Sequence, residues 1–488
     1  MNNMSFTACL KEIGRSAQSI LTEKKDKLPY ETGARREKGQ AILVLRPATN
    51  EEMSDMVAVC VKWGVDIIPQ SGNTGVVWGS TPDETGDQVL LSLDRMRAVF
   101  ELDIVNRSLR VGAGLRLSEL NAKLQEHGLF FPIDLGADPM IGGMISTNTG
   151  GSRFLRYGDV RANTLGLKVV LGDQEGTVLD LMSSLRKNNV GVDWKHVFIG
   201  TSGAFGIVTE AVLSLEPLPQ QTAVALLLPN ALTSVPLILI EAERQLGPQL
   251  SAFEYMSGNA MGATLAHVSS IRNPFSGLEL PDFAILIEIT RPWKSRQGEA
   301  TLNQVLEDFL VKLWQHSDSP LRNALPASPE DVWPLRHSIS EGVRTAGYLI
   351  AFDLAFERGR LLEFLAYTRT EIPKRFPNVR IFDFGHLGDG GVHFNLIVAL
   401  DDFQGEFEPI EAEIRDWVID TCVTKFEGSF SGEHGIGRKN QKYYNKYSPK
   451  LITQIGTDLK KALSPGRLGV PRFHKYLGEN RETSSEQQ

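Results

Sequence analysis

Gln70-Ser-Gly-Asn-Thr-Gly75, with its companion Ile141-Gly-Gly-Met-Ile-Ser-Thr-Asn-Thr-Gly-Gly151, is the pair of segments whose reading decides the fold. Glycine lets a backbone approach a ligand closely and reach positive φ, so that successive N–H groups converge on phosphate oxygens. Ser71, Thr74, Ser146 and Thr147 add hydroxyl donors. Either loop alone could be an ordinary tight turn, because short glycine patterns are common. Two in the same half of the chain, both rich in Ser, Thr and Asn, favour a pyrophosphate cradle. Neither is a GxGxxG opening a helix after the first strand, and no GxxxxGK[ST] is present. The doubly wound dinucleotide fold and the P-loop are therefore disfavoured, and a different cofactor fold is expected.

Outward from these loops the pattern is mixed α+β. The apolar run Ala41 to Leu45 reads as a buried strand. Asn50 reads as a helix N-cap, with Glu51 and Glu52 in the first turn. Met53, Met56, Val57, Cys60 and Val61 follow at helical spacing. Further strands are expected over 65–69, 89–93, 99–103, 108–111 and 207–215, with a hairpin across 165–181 turning at Asp173–Gly176. Leu117, Leu120 and Leu124 define a short helix that Gly128 ends. Pro217 and Pro219 mark a boundary. Beyond it, strands over 222–228 and 283–288 interleave with helices near 299–316, 358–371 and 409–426. That alternation predicts an antiparallel sheet covered by helices on one face. A last helix, 449–463, is stopped by Ser464-Pro-Gly466. The expected division is a helical lead-in (1–37), a first α+β domain (38–219), a second (220–428), a C-terminal segment (429–478) and a polar, disordered tail (479–488).

Bulk properties narrow the class. A chain of 488 residues exceeds what one core supports. A net charge of −8 argues against nucleic acid, whose binding needs clustered Lys and Arg. No apolar run reaches membrane-spanning length, and the N-terminus lacks the features of a signal peptide. Cys9, Cys60 and Cys422 form neither a CxxC nor a disulfide framework. A reducing compartment is expected: the cytoplasm or, in a eukaryote, the mitochondrial matrix.

The chemistry is concentrated in Phe384-Gly-His-Leu-Gly-Asp-Gly-Gly-Val-His393 and Ser431-Gly-Glu-His-Gly-Ile-Gly437. Three of the nine histidines and one glutamate sit in these two glycine-punctuated segments. Imidazole nitrogen and carboxylate oxygen suit zinc or manganese, and four such groups leave one over for proton transfer. Asp389 reads as a turn residue. His127, His196, His267, His316, His337 and His474 read as structural or surface residues, His337 being the least settled because it follows Arg336.

Several segments together resemble the vanillyl-alcohol oxidase / p-cresol methylhydroxylase superfamily. Pro69 to Gly75 is similar to its first FAD pyrophosphate loop. Asp134 to Gly151, continuing through Arg153–Gly158 and Leu165–Leu171, resembles the second loop and core strands. Phe198 to Thr209 resembles the segment over adenine and ribose. The His-Leu-Gly-Asp-Gly motif, Gly432-Glu-His-Gly435, Ser464-Pro-Gly466 and Ser184–Asn188 narrow the resemblance to the D-2-hydroxyacid dehydrogenase branch, and to the D-2-hydroxyglutarate dehydrogenases most of all.

The resemblance implies a two-part FAD-binding domain of the p-cresol methylhydroxylase type, an α+β substrate domain and a noncovalent FAD. It implies cofactor contacts from Gln70, Ser71, Gly72, Asn73, Thr74, Gly75, Leu135, Gly136, Ile141, Gly142, Gly143, Thr147, Asn148, Gly150, Gly151, Gly206, Ile207 and Val208. His386, His393 and Glu433 correspond to metal ligands, with zinc foremost and manganese compatible. His434 corresponds to a general base at the substrate, Asn395 to a substrate-polarising neighbour, and Arg336 to the arginine that grips a substrate carboxylate. Two departures bear on the substrate. Ser340 stands where the hydroxyglutarate enzymes have threonine, which keeps a hydroxyl. Ala351 stands where they have lysine, which removes a charged hydrogen bond worth ~1.5–3 kcal/mol.

The implied reaction is oxidation of a D-2-hydroxy acid to the 2-oxo acid, the candidates being D-2-hydroxyglutarate, D-lactate, D-malate or an aromatic 2-hydroxy acid. Electrons would pass to an electron-transfer flavoprotein or a quinone, and a homodimer would be unsurprising. Two other readings stay open: an O₂-using oxidase of an alcohol or phenol in the same superfamily, and a metallohydrolase or metal-binding module, which would leave the glycine loops without a purpose.

Overall fold

The computed structural model describes residues 6, 10, 18–35, 37–315, 318–399 and 406–473. The expected tail 479–488, most of the lead-in before residue 18, Cys9, His316 and His474 lie outside the described residues.

Three large sheets organise the chain. The first has four strands in the order Ile20–Leu21, Ala41–Leu45, Gln88–Ser92, Asp66–Gln70. Its last three strands are parallel, and helix Asn50–Lys62 makes a crossover. The N-cap of that helix is Thr49 rather than Asn50. Thr49 has extended backbone (φ −130°, ψ 165°), and its Oγ1 accepts from the Glu52 amide at 3.2 Å. Asn50 is the first helical residue, and its Nδ2 donates to Glu210 Oε1 at 2.6 Å. The loop beginning at Ser71 leaves the carboxyl end of strand Asp66–Gln70, the edge at which parallel sheets present ligand sites.

The second sheet is antiparallel, with five strands in the order Phe100–Asp103, Ser108–Gly112, Ile207–Ser214, Thr164–Val170, Val178–Leu181. Every residue of its central strand is buried.

The third sheet has eight strands. Along its main path run Leu321–Ala327, Gln221–Pro229, Phe283–Arg291, Leu250–Ser257, Phe384–Gly385, Gly391–Val398 and Tyr348–Ala355, and Val379–Ile381 also pairs with Gly391–Val398. Helices cover both faces, not one. Ala223, Ala225 and Leu227 pack with Ile238, Leu306, Phe364 and Val418 from four helices. Val224, Leu226 and Leu228, on the opposite face, pack with Met261, Leu335 and Ile339 from Gly258–His267 and Pro329–Arg344. The unbroken apolar run Ala223 to Leu228 is what burial on two faces requires.

The C-terminal residues return to the first half of the chain. Helix Lys450–Leu463 ends at Ser464, whose Oγ accepts from the Gly172 amide at 2.6 Å. Gly466 N–H donates to Gly172 O at 2.8 Å, and Ile67 N–H donates to Arg467 O at 2.8 Å. The Ser464-Pro-Gly466 motif thus pins residues 464–467 between the first and second sheets.

Candidate active site

A cavity of about 510 Å³ lies where the glycine loops face the third sheet. One wall is made by Gln70 to Gly75, Leu135, Gly136, Gly142, Gly143, Thr147, Gly151 and Ile207. Side chains there brace the loops rather than point at a ligand. Gln70 Nε2 donates to the Tyr30 and Ser80 carbonyls, both at 2.8 Å, and Asn73 Nδ2 to the Thr32 carbonyl at 2.8 Å. Ser71 Oγ accepts from the Gly143 amide at 3.1 Å, which joins the two loops. The amides of Gly72, Asn73, Thr74 and Gly75 donate to no acceptor among the described residues, although all four residues line the cavity. Unused N–H donors on a concave, glycine-rich backbone fit a pyrophosphate.

Five of the expected cofactor residues do not line this cavity: Ile141, Asn148, Gly150, Gly206 and Val208. Ile141 and Val208 belong to the core beneath it. Asn148 ends helix Ile141–Thr147 with left-handed backbone (φ 53°), and its side chain bonds Asp159 and the Arg161 amide. Gly150 and Gly206 are needed for close approach: a Cβ would meet Glu433 Oε1 at 2.4 Å in the first case and Val169 Cγ1 at 2.5 Å in the second.

The opposite wall carries His386, His393, Glu433, His434, Asn395, Arg336 and Ser340. Strand pairing explains how. Asp353 lies opposite His393, and Ala351 opposite Asn395, so alternation puts all four on one face of the sheet. His386 reaches the same place because Leu387 to Gly390 form the turn between strands Phe384–Gly385 and Gly391–Val398. Within it Asp389 Oδ1 accepts from the Gly391 amide at 2.9 Å, and burial pushes the Asp389 carboxyl up to about 7.

His386, His393 and Glu433 each bring a ligand atom within 4.8 Å of the others'. Asp353, His393 and His434 do the same. The wiring favours the first set. His386 Nδ1 sits 2.9 Å from Glu254 Oε1, which leaves Nε2 facing Glu433 Oε2 at 3.7 Å. His393 Nδ1 faces Asp353 Oδ1 at 3.7 Å. A carboxylate behind each imidazole is the arrangement that orients metal-binding histidines. Asp353 Oδ2, by contrast, is occupied by the Glu433 and His434 amides, both at 2.7 Å. Burial, reinforced by His386, holds the His393 imidazole well below its ordinary range, so its ring stays neutral. Burial also disfavours a charged His386, but Glu254 and then Glu433 outweigh it and raise the group to about 10. His434 stacks on His393 (centroids 5.5 Å apart, planes at 17°), with Nδ1 3.6 Å from Asp353 Oδ2.

Two residues central to this wiring carry no motif. Glu254 lies in strand Leu250–Ser257 and Asp353 in strand Tyr348–Ala355, each an acid in an apolar run. Both are almost fully buried. Burial raises a carboxyl, yet both are held below the ordinary range, Glu254 by His386 and Arg336, and Asp353 by His434 and His393. An isolated acid inside an apolar strand was the available signal. Arg336 lines the cavity, but its Nη2 is paired with Glu254 Oε2 at 2.7 Å. His337 also lines it, 3.4 Å from Asp134 Oδ2 and stacked on Trp333. The described cysteines, Cys60 and Cys422, are buried thiols outside the cavity.

Comparison with known proteins identifies the family. Residues 41–182 match the FAD binding domain model, and residues 218–471 match the C-terminal domain of FAD linked oxidases. The chain is 35% identical over 435 residues to the D-2-hydroxyglutarate dehydrogenase, mitochondrial, of Rattus norvegicus, covering 88% of this chain and 77% of that one. It is 34% identical over 449 residues to the enzyme of the same name from Arabidopsis thaliana, covering 90% and 76%. The solved structure of p-cresol methylhydroxylase with substrate bound superposes with a TM-score of 0.72 at 14% identity, covering 95% of each chain, which shows a shared fold. Among the described residues no helix is long and apolar enough to cross a membrane. One domain model spans more than half of the chain, and these relatives match over most of their length. The chain therefore belongs to the FAD-linked oxidases, as a flavoprotein of the D-2-hydroxyacid dehydrogenase branch.

Proposed function

We propose that this protein oxidises a D-2-hydroxy acid, D-2-hydroxyglutarate or a related acid such as D-lactate, D-malate or an aromatic 2-hydroxy acid, to the 2-oxo acid. His434 is the general base. His386, His393 and Glu433 hold a divalent metal, zinc before manganese given the N/O donor set. Residues 38–219 hold the flavin, and 220–428 hold the acid and two of the metal ligands. The observation that carries this reading is convergence: histidine cluster and unused glycine-loop amides line one cavity.

A metal held by His386, His393 and Glu433 would supply Lewis acidity toward the α-hydroxyl, and a flavin held by the glycine loops would supply the hydride acceptor. The chain's own residues do the rest. His434 takes the hydroxyl proton, and Asp353, 3.6 Å from its Nδ1, stabilises the imidazolium that forms. Asp353 also fixes the base, since it accepts the His434 amide. Glu433 Oε1 accepts the Gly151 amide at 2.7 Å, so the metal loop is anchored to the flavin loop. Asn395 offers an amide at the cavity wall for the substrate oxygens. Electrons then pass to an electron-transfer flavoprotein or quinone.

Chelation tests the metal. Anaerobic flavin reduction by D-2-hydroxyglutarate should slow at least a hundredfold in chelator-treated holoenzyme and recover with zinc or manganese. An unchanged rate would remove the metal from the mechanism. Rapid reoxidation by O₂ with no added acceptor would instead favour the oxidase reading.

A further inference from the structure

A second cavity, of about 490 Å³, lies at the carboxyl end of strand Leu250–Ser257 and shares no lining residue with the first. Two acids flank that strand end, fixed by consecutive amides. Ser257 N–H donates to the Asp383 carbonyl at 3.0 Å, and Gly258 N–H to the Asp282 carbonyl at 2.6 Å. Gly258 permits this approach, since a Cβ would lie 2.5 Å from the Pro281 carbonyl. Asn259 Nδ2 donates to the Ile381 carbonyl at 2.9 Å and closes the third side.

The polar groups of this cavity are incompletely matched. Asp383 is 0% exposed and lines the cavity. Its Oδ2 accepts from Arg369 Nη2 at 2.7 Å, but its Oδ1 is buried with no hydrogen-bond partner. An orphaned buried acceptor costs free energy that a bound donor restores. Asp282 and Arg380 are exposed at the rim, and neither side chain makes a hydrogen bond or ion pair among the described residues. Arg380 lies over the Phe382 ring, 5.5 Å from its centre. Burial, then Asp383, and to a smaller extent Asp282 hold the Tyr255 phenol well above its ordinary range against Arg369, so both carboxylates face one hydroxyl. The rest of the wall is apolar, from Leu280, Pro281, Pro373, Val379 and Ile381. With Arg369 set against Asp383, the unspent groups are a carboxylate, a guanidinium and one orphaned acceptor. That set suits a ligand carrying both charges on an apolar body.

We propose that this second cavity binds a free α-amino acid with an apolar side chain. The ammonium donates to Asp383 Oδ1 and faces Asp282, the carboxylate meets Arg380, and the side chain packs on the apolar wall. The site is separate from the reacting centre, because Asp383 lines one cavity and His386 the other. The segment between them also touches the histidine wall directly: Phe382 N–H donates to the Asn395 carbonyl at 2.8 Å. An occupant therefore sits behind that wall as an effector and is not the molecule oxidised.

Calorimetric titration of the holoenzyme with L-leucine tests this. Leucine should bind, and 4-methylpentanoate and 3-methylbutylamine, each lacking one of its charged groups, should bind about tenfold more weakly. Asp383→Asn should weaken leucine about tenfold, because Arg369 holds the carboxamide oxygen and turns the amide nitrogen toward the ammonium. Asp282→Asn and Arg380→Met, at exposed positions where folding is not at stake, should each weaken it about three- to fivefold. No binding of leucine to the wild type, equal affinity for either analogue, or unchanged affinity in all three variants would overturn the proposal. Binding that is lost in His434→Asn and kept in Asp282→Asn and Arg380→Met would place leucine in the first cavity and overturn it as well.

Discussion

The two walls of the cavity are built on opposite principles. On the glycine wall the side chains of Gln70, Ser71 and Asn73 are consumed in bracing the loops, and the backbone is left free to bind. On the histidine wall the side chains face the cavity, and buried acids back the imidazoles, Glu254 behind His386 and Asp353 behind His393 and His434. In the proposed function one wall would recognise a charge distribution common to any pyrophosphate, and the other a particular reacting centre. Damage to the first should cost cofactor, and damage to the second should cost turnover.

The largest effects are expected on the histidine wall. His386→Ala, His393→Ala or Glu433→Ala should abolish turnover while the flavin spectrum of the purified protein is kept. His434→Asn should lower kcat about a hundred- to ten-thousand-fold, the usual worth of a general base. If these variants lose FAD in proportion to activity, the separation between the walls is false.

Glu254→Gln attacks the support behind that wall. It leaves Arg336 and His386 buried without their shared carboxylate, and breaking such a cluster costs about 3–5 kcal/mol. A fall in Tm is expected, measured by calorimetry. An unchanged Tm would mean that Glu254 is not the anchor.

Gly151→Ala attacks the other wall. Gly151 has φ +103°, and an added Cβ would lie 2.4 Å from the Asp134 carbonyl. Strain of about 1–3 kcal/mol is expected, read as reduced FAD occupancy after gel filtration, with kcat per bound flavin nearly preserved. A fall in kcat at full occupancy would erase the distinction between the walls.

The smallest effect concerns a buried ammonium under the glycine wall. Lys460 Nζ donates to the Ala204 carbonyl at 2.6 Å, and burial lowers it to about 7. The unfolded chain, with lysine near ~10.4, holds more protons between about pH 7 and 10. Stability should therefore rise with pH across that window. Lys460→Met should flatten the rise in urea titrations. Parallel pH dependence in the two proteins would contradict it.

Much of this plan was legible in the sequence, and the gaps have physical causes. Glycine loops and the two histidine segments are local patterns whose chemistry is carried by adjacent residues. Glu254 and Asp353 were missed because their partners are distant, Glu254 being 132 residues from His386 and Asp353 being 80 from Glu433. A lone acid in an apolar strand signals a buried charge but does not say which distant residue satisfies it. The apolar run Ala223 to Leu228 carries the sign of burial on two faces, whereas the helix spacing alone predicts cover on one. At the first long helix, Thr49 and Asn50 are both good caps, and backbone geometry chose the earlier one.

The most direct test of the central claim is an anaerobic titration of the flavin absorbance with the two enantiomers of 2-hydroxyglutarate. Stoichiometric bleaching by the D-acid, none by the L-acid, and loss of that bleaching in His434→Asn are predicted. A flavin that remains oxidised in metal-replete protein with D-2-hydroxyglutarate, D-lactate, D-malate and an aromatic D-2-hydroxy acid would contradict the account.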